Sequence, residues 1–139
     1  MLSVIYGSRL LGVEAERIGV EVSVSRGLGY QITGLAGDSI NESLARIGIA
    51  IGNCGYRMPR TKVVINLTPA DVRKTGTALD LPIALGILAA SEQLLLPSDI
   101  RTFQIVGELG LDGSVYPVRG ALCMAACART LGFSAIVLP

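Results

Sequence analysis

Val63 to Leu88 reads VVINLTPADVRKTGTALDLPIALGIL. An apolar run opens it, a polar and basic loop from Pro69 to Thr77 follows, and an apolar segment closes it. The opening run, Lys62 to Leu67, is short and rich in β-branched residues, the pattern of a central strand buried on both faces. The closing run is expected to form a buried helix from about Leu79 to Gln93. Asp80 suits its N-cap, and Pro82 is tolerated in the first turn because its missing amide would be unpaired there. This order of strand, loop and helix places Lys74, Thr75 and Thr77 at a helix entrance, where an anion site or a nucleophile would be sited. Yet the chain contains no histidine, and no base is legible opposite those hydroxyls. The stretch reads as an active-site scaffold without its chemistry, which favours binding or assembly over catalysis.

Downstream, Gly107 to Gly120 reads GELGLDGSVYPVRG. Gln104–Leu109 and Ser114–Tyr116 form a hairpin turned at Asp112-Gly113, a dipeptide suited to positive φ. The three-residue spacing of Gly107, Gly110 and Gly113 fits that hairpin and its bulge, and no phosphate-binding loop of the GxxxxGK[ST] type is present. A helix over Arg119–Leu131, with Gly132 just past its end, and a strand over Ala135–Leu138 complete this half. Upstream, Val20–Ser25 alternates strictly, Arg26–Gly29 is a turn and Tyr30–Thr33 alternates again, so these segments read as a hairpin, with Leu2–Tyr6 as a third strand beside them. Ser39 and Glu42 fit a capping box. Ile40, Leu44, Ile47 and Ile51 then mark one apolar helical stripe, which Asn53 and Gly55 end. Arg46 lies off that stripe and is expected to face solvent. Glu14, Glu16 and Glu21 suit a solvated strand face. Strands and helices are both expected, an α/β chain of α+β type.

The chain has 139 residues, the size of one domain. Half are apolar, only 17% are charged, and aromatics are few, so Val, Ile, Leu and Ala must build the core. That leaves little solvated surface and suggests a face covered by another domain or subunit. No apolar run reaches the roughly 18 residues a bilayer requires, and the N-terminus lacks signal-peptide features. Membrane contact is therefore not expected, and the cytoplasm is. Cys54, Cys123 and Cys127 are too few for a disulfide framework or a complete metal site and read as small core residues. The net charge is +1, but Arg57, Arg60, Lys62, Arg73 and Lys74 cluster around one strand against the single acid Asp71. Such a block suits an anionic partner such as DNA, or forms an ordinary pair of solvated loops.

Three segments resemble the N-terminal domain of the ComM/YifB family of Mg-chelatase-like AAA+ proteins. They are Gly27–Ala45 (GLGYQITGLAGDSINESLA), Val64–Ala84 (VINLTPADVRKTGTALDLPIA) and Gly107–Gly120, the last two being the more specific. The resemblance implies a fold like that of the Lon protease domain and the second domain of a ribosomal protein, a mixed β-sheet with helices mainly on one face. Residues 1–139 would be a single Lon-like N-terminal domain. The stop at Leu138-Pro139, straight after a strand, reads as the interior of a longer protein that continues into an AAA+ module.

Lon-type domains use a serine and a lysine. Laid on their motifs, this chain has Ala78 at the serine position and Leu122 at the lysine position, so no catalytic residue is expected. The resemblance further implies an ATPase parent that assembles as a hexamer, binds ATP and Mg2+ in its AAA+ module and migrates DNA branches in natural transformation. No cofactor is expected in this domain. Its partners would be its own AAA+ module, further copies of the chain and DNA, with Arg73, Lys74 and Arg119 as phosphate contacts. Two alternatives stay open: a diverged Lon-like hydrolase using Thr77 or Thr75 with Lys74, and a partner-docking domain of a Mg-chelatase-like ATPase.

Overall fold

The computed structural model describes residues 1–34, 36–74 and 76–139. Two long strands, β1 (Leu2–Leu11) and β2 (Glu14–Ser25), pair antiparallel without interruption from Leu2↔Ser23 to Leu11↔Glu14. After them come β3 (Tyr30–Thr33), helix α1 (Asp38–Asn53), β4 (Lys62–Thr68), helix α2 (Asp80–Ala90) and β5 (Phe103–Ile105). The short strands β6 (Glu108–Leu109) and β7 (Val115–Tyr116), helix α3 (Ala121–Thr130) and β8 (Ala135–Val137) close the sequence. Six strands form one mixed sheet in the order β3-β4-β2-β1-β5-β8, while β6 and β7 form a separate ribbon.

That order corrects the hairpin expected from Val20–Thr33. β4 lies between β2 and β3, antiparallel to the first (Val22↔Ile65) and parallel to the second (Ile32↔Ile65). Alternation says that each strand buries one face, but not which strand lies beside it. β4 takes the central place because Val63, Ile65 and Leu67 are each fully buried there, and burying a side chain of that size contributes about 1.5–3 kcal/mol. β3, whose four residues are exposed or half-buried, is left at the edge.

Side chains alternate across a strand, so β1 sorts the helices. Ser3 donates its hydroxyl to the Gly86 carbonyl of α2, and a Cβ on Gly7 would meet Leu79 and Pro82. On the other face, Leu10 packs where a Cβ on Gly120 would stand, just before α3, and the Tyr6 ring meets Phe133 edge-on with centroids 5.6 Å apart. α2 and α1 therefore share one face, and α3 takes the other. The main core lies under α1 and α2, joining Ile18, Val20 and Val22 to Ile40, Ile47 and Ile83. α3 packs on β1, β2 and β8 rather than on β4. Hence β4 is not buried on both faces: Val64, Asn66 and Thr68 are half-buried, and Asn66 is tied to Thr33 at 2.9 Å and to Glu21 at 2.7 Å. No helix among the described residues is long and apolar enough to cross a membrane.

Both expected N-caps are replaced by long-range bonds. α1 is capped by Gly37 without a side-chain bond, and the Ser39 hydroxyl accepts instead from the Gly76 amide at 2.8 Å. α2 is capped by Leu79, and the Asp80 carboxylate turns inward, fully buried. It accepts from Arg46 Nε and Nη2, both at 3.2 Å, and from the Leu109 amide at 3.1 Å. Arg46 is thus a structural partner rather than a free surface cation. Its hydrogen bond to Asp80 is the main cause that raises its pKa above the ordinary arginine value.

A buried carboxylate that loses its guanidinium keeps its desolvation penalty, so removing one partner of such a pair costs about 3–5 kcal/mol. Urea denaturation of Asp80→Ala and Arg46→Met is expected to show losses of that order. Losses under about 1 kcal/mol would class the pair with weak surface bridges.

Candidate functional site

The loop from Pro69 to Leu79 is pinned at Arg73, Lys74 and Ala78. Gly37 donates its amide to the Lys74 carbonyl at 2.8 Å, and Lys74 bridges to Ala36 in parallel β fashion. Arg9, which is ion-paired to Glu16 at 3.0 Å, donates to the Arg73 carbonyl. Further on, the Gly107 amide donates to the Ala78 carbonyl and the Leu81 amide to the Gly107 carbonyl, both at 3.0 Å. The loop and the hairpin segment around Glu108 are therefore stitched together where α2 begins.

The Lys74 side chain runs through the middle of this arrangement. It is fully buried, and its ammonium donates to the Gly34 carbonyl at 2.7 Å and to the Pro69 carbonyl. Gly34 is the residue this approach permits: its φ is +92°, and a Cβ there would run into the Leu67 carbonyl. Burial is the main cause that pulls the Lys74 pKa below the ordinary lysine value, and the Arg9 charge adds to it, while Asp71 and Glu16 oppose. The expectation that Lys74 meets a phosphate is corrected here. An ammonium capped by two backbone carbonyls inside the fold is a strut for the loop, out of a ligand's reach.

Between the loop and the β6–β7 ribbon lies a cleft of about 620 Å³, lined among others by Gly76, Thr77, Ala78, Glu108, Arg119 and Met124. Thr77 Oγ1 donates to Glu108 Oε2 at 3.0 Å. The sequence reading missed this carboxylate because the two residues are separated by 31 positions and by the whole of α2. Arg119 is exposed at the cleft, and Arg73 is exposed on the loop leading to it. Arg73 and Arg119, two of the expected anion contacts, are thus open to solvent.

The residues at the Lon-type positions fall in different places. Ala78 lines the cleft, whereas Leu122 is 84% exposed and lines a separate groove between α3 and the start of β2, with Val13 and Cys127. Among the described residues the Thr77 hydroxyl bonds to Glu108, while Lys74 is committed to Gly34 and Pro69. That corrects the pairing of Thr77 with Lys74. A carboxylate is a weak base toward an alcohol, so the bond to Glu108 orients the Thr77 hydroxyl without making it a strong nucleophile. Thr75 lies outside the described residues.

Residues 20–139 match the family described as subunit ChlI of Mg-chelatase. The chain is 42% identical over 137 residues to the uncharacterized protein YifB of Salmonella typhimurium, covering 98% of this chain and 27% of that protein. It is 38% identical over 122 residues to the competence protein ComM of Haemophilus influenzae, covering 87% and 24%. Identity to the uncharacterized protein Rv2897c of Mycobacterium tuberculosis is 33% over 129 residues, covering 92% and 25%. The chain thus spans about a quarter of the length of these curated relatives.

The buried Lys74 carries a pH signature. In the unfolded chain it titrates near ~10.4, and in the fold it titrates lower. Between those values the unfolded chain binds the extra proton, so stability rises with pH. Compared with Lys74→Met, the wild-type protein is expected to gain stability as pH is raised toward ~10. A pH-independent difference would show that the ammonium is not desolvated.

Proposed function

The chain belongs to the Mg-chelatase-like family that includes YifB and ComM, and we propose that it serves there as the non-catalytic oligomerisation and DNA-engagement domain of a ComM-type AAA+ ATPase. The observation that carries this reading is the cleft. Where a Lon-type domain would hold its serine there is Ala78, and the solvent-facing groups nearby are guanidinium groups rather than an activated nucleophile. Arg73 and Arg119 are the DNA contacts of this reading. Guanidinium groups, here with the Arg73 backbone held by Arg9, suit phosphate oxygens, giving affinity that is independent of sequence and sensitive to salt. Lys74 contributes by holding the Arg73 loop in place.

In this reading ATP and Mg2+ bind to the AAA+ module beyond this domain, and the assembled ring, a hexamer, moves DNA branches during natural transformation. The surface supports an assembly role in its own way. Leu122, at 84%, and Val13, at 87%, are exposed on the side that carries α3, and large apolar side chains in such positions favour a covering partner.

In the full-length protein, Arg73→Glu with Arg119→Glu is expected to weaken DNA binding. The slope of log affinity against log salt should fall by about 2, at ~0.9 per lost phosphate contact. Fluorescence anisotropy over a salt series reads both, with melting temperature as the folding control. An unchanged slope would remove these arginines from the interface. The Thr77–Glu108 bond keeps the hydrolase alternative testable. A hydroxyl-directed covalent inhibitor is expected to leave Thr77 unlabelled by mass spectrometry, and labelling that Thr77→Ala abolishes would reverse the assignment.

A further inference from the structure

The basic block read from the sequence is divided in the fold. β4 separates Lys62 from Thr68, a run of seven residues that spans roughly 20 Å. Arg73 lies beyond one end, and Arg57, Arg60 and Lys62 lie at the other. There they are joined by Arg26, which follows the pair Ser25↔Lys62 in the β2–β4 register. All four cations are exposed, and among the described residues none forms an ion pair. Beside Arg57 and Arg60 runs a groove of about 600 Å³, whose acidic lining residue is Glu92.

The backbone carrying these charges is held in place. The Arg57 amide donates to Gln93 Oε1 at 2.9 Å, and Gln93 Nε2 returns a bond to the Arg57 carbonyl at 2.7 Å. From β3, the Tyr30 hydroxyl donates to the Pro59 carbonyl at 2.7 Å. The Tyr30 ring is fixed by that bond yet 48% exposed, and Tyr56, next to Arg57, is 36% exposed. The chain has only six Tyr and Phe residues, and two of them stand exposed at this charged end. Cations alone would suit any polyanion. Exposed rings among them, one of them fixed, suit a polyanion with unpaired bases, because a duplex keeps its base faces stacked inside.

We infer that this end of the sheet is a second nucleic-acid contact, specific for single strands, in which Arg26, Arg57, Arg60 and Lys62 track phosphates while Tyr30 and Tyr56 stack on bases. The inference rests on the DNA-engagement reading and adds to it a separate surface and a strand preference. The loop is clamped before a ligand arrives, so little ordering entropy is lost on binding.

The test uses the full-length protein and oligo-dT carrying 5-iododeoxyuridine, with irradiation followed by peptide mapping. Crosslinks are expected at Tyr30 and Tyr56. By anisotropy, Tyr30→Ala and Tyr56→Ala should each weaken oligo-dT binding by roughly tenfold and leave duplex binding unchanged. Tyr30→Phe, which keeps the ring and loses the bond to Pro59, should retain most of the affinity. If an alanine variant fails to fold, the crosslink map on the unaltered protein decides. Crosslinks confined to the Arg73 and Arg119 side, or tyrosine variants with unchanged affinity, would overturn this inference and leave the first DNA contact standing. No crosslink anywhere in this domain, with no effect of Arg73→Glu and Arg119→Glu, would overturn both.

Discussion

The Asp80 carboxylate is fully buried, and a charge in that position is tolerable only because its hydrogen-bonding capacity is used. Arg46 of α1 supplies a two-pronged bond and Leu109 of β6 supplies an amide. One side chain at the start of α2 thereby fixes α1, α2 and the β6–β7 ribbon relative to each other. The cleft is bordered by that ribbon and by the loop that leads into α2. Any shift of the ribbon away from α2 would leave a carboxylate without solvent or partner, a cost far above that of an ordinary lost contact. The position of Glu108 against Thr77 is therefore inherited from its neighbour Leu109.

Lys74 acts in the same way on the loop. Its ammonium closes on the carbonyls of Gly34 and Pro69, linking the end of β3 to the exit of β4. Arg9 adds a bond from β1 to the Arg73 carbonyl. Three cations in a short region thus divide their work. Lys74 and Arg9 fasten backbone, and the Arg73 side chain is exposed. Composition records three positive charges there and cannot tell struts from contacts.

The two ends of β4 are built on one plan. At each end a basic segment is clamped by side chains from other elements: Arg9 and Ser39 at the exit, Gln93 and Tyr30 at the entrance. A clamped basic segment is suited to recognition of a charged chain, because its own conformational entropy has already been spent on folding. The ends differ in what accompanies the charge. A cleft with a hydroxyl and a carboxylate adjoins one, and exposed tyrosines adjoin the other.

The sequence by itself determined the local elements and the family. The stripe Ile40, Leu44, Ile47, Ile51 became the buried side of α1, Asp112-Gly113 turned the β6–β7 ribbon, and Gly132 followed the end of α3. The Val64–Ala84 and Gly107–Gly120 motifs named the relatives. These features depend on residues a few positions apart, where periodicity and turn chemistry act directly. Only the tertiary structure decided that β4 would separate β2 from β3, that Asp80 would bond to Arg46 rather than cap its helix, and that Lys74 would be buried. It also brought Glu108 to Thr77. Each of these outcomes joins residues from different elements, many of them more than 30 positions apart, and each is settled by competition for burial and for hydrogen-bond partners across the whole core. A local pattern can show that a side chain is polar or apolar, but the partner that makes a buried charge stable is known only once distant elements have packed.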